Sequence, residues 1–158
     1  MKLWSIDKTD WPDGPWKDEP DYVSWVDKDT MYRCVLQRNV VGAWQGRVGV
    51  AADHPLFMIP YTNPVYQHID VHGDIMYTSF IASDDMLFSP PQRSWWIGFD
   101  TMREDDYTPG YKPKQKNLKL IPEYAATIVY RDIVYVTDEI QFLAVQLFQY
   151  QKHPNPIL

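Results

Sequence analysis

Residues 132–153 read DIVYVTDEIQFLAVQLFQYQKH. Apolar side chains fall at Ile133, Val136, Ile140, Leu143, Ala144, Leu147 and Phe148. That three-and-four spacing gives a helix one continuous apolar face. Asp132 stands where an N-cap accepts a backbone N–H, and His153-Pro154 ends the run because proline cannot continue a helix. The spacing predicts a long C-terminal helix within residues 130–152. A helix with one apolar face needs something flat to cover, so the segments upstream decide the fold class.

Residues 31–52 (MYRCVLQRNVVGAWQGRVGVAA) are rich in β-branched and aromatic residues and predict two strands, with Gly42 and Gly46 at a break or at bulges. Asp53-His54-Pro55 ends the second. Residues 69–79 (IDVHGDIMYTS) alternate, which predicts a strand with Asp70, His72, Asp74 and Met76 on one face. Residues 94–100 alternate too, placing Trp95, Ile97 and Phe99 opposite Trp96, Gly98 and Asp100. The polar run 103–117 reads as a surface loop, and residues 121–129 as an interrupted helical segment. Residues 9–24 hold three prolines, five acidic groups, Trp11 and Trp16, which predicts an extended arm pinned by its indoles. The expected architecture is one α+β domain over residues 1–158. An N-terminal arm (1–28) is followed by a sheet-forming core (29–129) of four or more mostly antiparallel strands, and the terminal helix covers one face of that sheet, leaving the other open.

The chain has 158 residues, 15% of them aromatic, and a formal charge of -6 from 15 basic and 21 acidic residues. That field repels phosphate backbones and anionic membranes, so neither a nucleic-acid polymer nor a membrane is expected as partner. The lone Cys34 excludes an internal disulfide and any multi-cysteine zinc site. No leader or spanning segment is legible, so a cytoplasmic protein is expected.

Five ordered blocks, WPDGPWKDEPD from Trp11, GRVGV with HPLF from Gly46, DVHG from Asp70, WWIGFD from Trp95 and YRD with YV from Tyr130, resemble a family of small bacteriophage- and prophage-encoded proteins. The resemblance spans nearly the whole chain and implies a phage accessory role in a bacterial host cytoplasm; it brings no known reaction. This chain has Asp74 where the family carries a second glycine, and Thr101-Met102-Arg103 where it carries Cys-Ala-His.

The residues that carry chemistry suggest three functions. In the first, a small polar, nucleotide-like ligand stacks on Trp95 or Trp96. Arg47 or Arg103 pairs with its phosphate and His72, Asp74, Asp100 and His54 bond its polar edges, a binding role that needs no cofactor and no catalytic group. A phage protein of this kind sequesters a signalling nucleotide of host defence. In the second, exposed aromatic residues meet a host protein, or a second copy in a homodimer. In the third, Asp70, His72 and Asp74, completed by His54 and Asp100, hold a metal that activates water. Binding is the expected outcome. No phosphate loop, nucleophile elbow or paired-cysteine motif is present.

Overall fold

In a computed structural model that describes residues 5–81 and 93–154, five strands pair in one antiparallel sheet of order β1-β2-β3-β5-β4. The strands are β1 (Tyr22–Val26), β2 (Arg33–Arg38), β3 (Trp44–Val50), β4 (Tyr77–Ser79) and β5 (Trp95–Asp100). Three helices follow, α1 (Lys112–Leu120), α2 (Pro122–Ala125) and α3 (Ile133–Lys152). The fold is the α+β arrangement that the sequence predicts.

Register sets the two faces of the sheet. Val35 pairs with Arg47, Arg47 with Gly98 and Gly98 with Tyr77, so these residues share a face with Trp96. Cys34, Leu36, Val48, Ile97 and Phe99 point the other way and meet α3, which packs on β3 and β2. Val136, Ile140, Leu143, Ala144 and Leu147 are fully buried there, each large side chain contributing about 1.5–3 kcal/mol by leaving water. Asp132 caps α3 by accepting the Tyr135 N–H at 2.8 Å.

The structure corrects five readings. Residues 69–76 are not a strand: the Asp74 N–H closes a turn onto Val71 C=O at 3.0 Å, with Gly73 at φ +65° and Asp74 at φ +67°. Gly73 occupies the turn position that demands positive φ, so alternation stops there and only Tyr77–Ser79 pair. The predicted surface loop 103–117 contains most of α1, and the helical segment expected at 121–129 shrinks to α2. Strand β1 lies inside the arm, whose remaining described residues are pinned as expected by buried Trp11 and Trp16. Finally, Val35, Gln37, Arg47 and Trp96 are buried within a single chain, so the face away from α3 is not open at these positions.

Candidate functional site

The eight predicted site residues disperse. His54 lies beneath α3, where its Nδ1 accepts the Leu56 N–H at 3.0 Å and its Nε2–H donates to Leu147 C=O at 2.8 Å. Burial pulls this imidazole below its usual range, and neither nitrogen has a lone pair left for a ligand or metal. Trp95 belongs to the core, donating its indole N–H to Ile59 C=O. Trp96 packs against Val35 on the reverse face, and the Arg47 guanidinium lies 4.1 Å from the Tyr77 ring centroid. Asp74 is exposed, on a 190 Å³ hollow with Tyr61 and Gln67. The turn at Gly73 and the pleat of β5 send these groups to different surfaces of the described residues.

Three of the eight do meet. Arg103 lies so close to Gly73 that a Cβ there would come within 2.4 Å of its Nε, and its Nη2 is 3.9 Å from the Asp100 carboxylate. His72, beside Gly73, enters a buried polar centre at the N-terminal end of α3. Its hub is Asp106, whose side chain is wholly buried. One Asp106 oxygen accepts from His72 Nε2 and the Arg103 backbone N–H, and the other from Arg131 Nε, each at 2.9 Å. Burial alone would push this carboxyl up; the hydrogen bonds from His72, Arg131 and Arg103 outweigh it and hold the group below its ordinary value. An ionised carboxylate only accepts, so His72 Nε2 carries a proton, and in the neutral ring Nδ1 accepts from the Tyr135 hydroxyl at 2.8 Å.

A second buried network adjoins it through the neighbouring Tyr130 and Arg131. Arg38, fully buried, pairs with Asp21 at 3.0 Å and Glu19 at 3.4 Å. Glu19 also accepts from the Tyr130 hydroxyl and, at 2.6 Å, from the Ile133 N–H that opens α3. Glu19 and Asp21 of the arm thus cap and neutralise, whereas Asp7, Asp10, Asp13 and Asp18 are exposed. Residues from three of the five sequence blocks, the first, third and fifth, meet in these two networks. Their groups are consumed by one another, which marks them as fastenings for the arm, the 69–76 turn and α3. Among the described residues no three His, Cys, Asp or Glu side chains converge as a metal-binding group, and the turn at Gly73 removes the strand face on which the metal reading depended.

Unmet donors remain here on Arg103, whose Nε and Nη2 are buried with no hydrogen bond among the described residues, and a larger charged surface lies elsewhere. A groove of 450 Å³ runs between the arm and α1. Asp7, Asp10, Trp11 and Pro12 form one wall, Pro109 and Gly110 the end, and Lys112, Gln115, Lys116 and Lys119 the other wall. Positions 112, 116 and 119 share one helix face by their spacing of four and three. Lys114 points the opposite way and donates to the Arg103 and Asp106 carbonyls at 3.0 and 2.5 Å, tying α1 to the polar centre. Lys112, Lys116 and Lys119 are exposed and have no hydrogen bond or ion pair among the described residues. Asp7 is held below its usual range by hydrogen bonds from the Thr9 hydroxyl and N–H, so it is ionised as well.

Sequence reading missed both sets. Asp106 sits within REDD, which looks like any solvated acidic run, and its partners are 25 to 34 positions away. The lysine row was legible as helical spacing, but Gly110 and Pro113 argued for a loop; Pro113 is tolerated because it occupies the first turn of α1. Cys34 is buried and its thiol is pushed up to about 12, chiefly by desolvation, which leaves no thiolate to react. No described helix is long and apolar enough to cross a membrane. Comparison with protein-family models, curated proteins and solved structures finds no match.

Proposed function

We propose that this chain binds a small, nucleotide-like anion in the groove between the N-terminal arm and α1. The observation that carries the reading is the groove's two-sided chemistry: three lysines without a partner among the described residues face a wall of Pro12, Asp7, Asp10 and the edge of the otherwise buried Trp11. A nucleotide matches both sides. Its phosphate is an acceptor for ammonium donors, its base is flat and apolar on its faces, and the base edge offers N–H donors to carboxylates. A volume of 450 Å³ falls in the range of small-molecule sites. The local positive field arises although the whole chain carries -6, since α1 contributes four lysines and no acidic residue.

Together with the resemblance to phage-encoded proteins, this reading becomes sequestration: the protein removes a signalling nucleotide of host defence by holding it unchanged. Such a role needs affinity and abundance, and no catalytic group. The test is to incubate the purified chain with nucleotide extracts of infected and uninfected cells, release what is retained by denaturation, and identify it by mass spectrometry. Recovery of an intact nucleotide, lost when Lys112, Lys116 and Lys119 are all changed to Ala, is the expected result. Retention of nothing, or retention indifferent to the three lysines, refutes it.

A further inference from the structure

The lysine row has a length and a charge, and both select among nucleotides. Lys112 and Lys119 are seven residues apart on one helix face, so their Cα atoms are about 10 Å apart along the axis, with Lys116 between. Trp11 packs against Gly110, where a Cβ would lie 2.5 Å from the indole Nε1, so the apolar wall adjoins the Lys112 end of the row. A base seated on that wall directs its phosphates along α1 from Lys112 toward Lys119. One phosphate carries about -1.5 to -2 near neutral pH. It meets the first cation or two and leaves the far end of the row unanswered.

We infer that the groove is built for a nucleoside polyphosphate, a diphosphate or triphosphate, and not for a monophosphate. This inference rests on the proposed function and specifies its ligand class. The last lysine is what a monophosphate cannot use: Lys119 lies two turns beyond Lys112 along α1, is exposed, and has no partner among the described residues. Each further phosphate brings charge to the next ammonium and gains from a charge-assisted hydrogen bond.

Titration calorimetry of the whole chain with AMP, ADP and ATP at fixed ionic strength tests this. Affinity is expected to rise about five-fold or more with each added phosphate, and the gain to shrink as salt is raised, since these cations are exposed. Lys119→Ala is expected to erase the advantage of the longest ligand, so that ATP binds no more tightly than ADP. As a surface change it leaves the fold intact, which the melting temperature verifies. Equal affinity for all three nucleotides, or an ATP preference that survives Lys119→Ala, overturns the inference while the broader reading stands. Failure of all three to bind, with no nucleotide retained from cell extracts, overturns both.

Discussion

The polar centre around Asp106 and the groove along α1 are both clusters of charged side chains, and they differ in one respect: at Asp106 the principal pairs are closed, and in the groove the lysines are not. Asp106 accepts three hydrogen bonds, and both nitrogens of His72 are engaged. A ligand arriving there would have to break bonds already made. In the groove, the lysines bind nothing else in the described chain, so a ligand breaks no bond already made. Residue types alone point to the Asp106 cluster, because histidine, aspartate and arginine look more like a working site than three lysines do. Satisfaction of donors and acceptors separates the two.

The contrast breaks first at Asp106. Asp106→Ala leaves the His72 Nε2–H and the Arg103 N–H without their acceptor and Arg131 with Asp105 as its remaining carboxylate, and buried donors left unsatisfied cost about 1–3 kcal/mol. Urea unfolding is expected to show a loss of that size; a loss under about 1 kcal/mol would mean that the centre fastens little. Asp106 also makes stability depend on acid. Its folded value lies below 3.8, so its contribution is complete above that pH and disappears as pH falls through the lower folded value.

His54 sharpens the picture at milder pH. Its folded value is depressed from 6.5, so the unfolded chain takes up the proton first, and stability is expected to fall as pH drops below about 6.5. His54→Gln is expected to cost about 1–3 kcal/mol at pH 8 and to flatten the slope between pH 7 and 5, read from melts across that range. A slope unchanged by this substitution would assign the proton uptake to another group.

The smallest effect on stability is expected where the effect on binding is largest. Lys112→Ala, Lys116→Ala and Lys119→Ala together remove exposed charges that have no partner among the described residues, and surface changes of this kind usually stay within about 0.5 kcal/mol each. A large drop in melting temperature would show that the row supports the fold.

How much of this was legible follows the range of the interactions. Helix α3 declares itself through its own spacing, and its cap and C-terminal stop lie within the same stretch. The β2–β3 hairpin likewise reads from Arg33 to Val50, with Gly42 in its turn at φ +96°. Residues 69–76 misled because Gly73 has two readings, a gap in a strand or a left-handed turn residue, and period-two alternation does not choose between them. Strand β1 was hidden by the prolines before it, although a strand can begin immediately after such a segment. The arm's carboxylates could not be assigned, because Glu19 reaches Tyr130 and Ile133 across more than a hundred residues. His72 and the Arg103 backbone meet at one Asp106 oxygen, and that aspartate carries no local signal in the sequence.

The most direct measurement of the central claim is nucleotide binding and thermal stability in one paired experiment on two variants, the triple lysine-to-alanine chain and Asp106→Ala. The triple variant is predicted to melt with the parent and lose the ligand, and Asp106→Ala to melt well below it. A triple variant that still binds nucleotide as tightly as the parent would contradict the account.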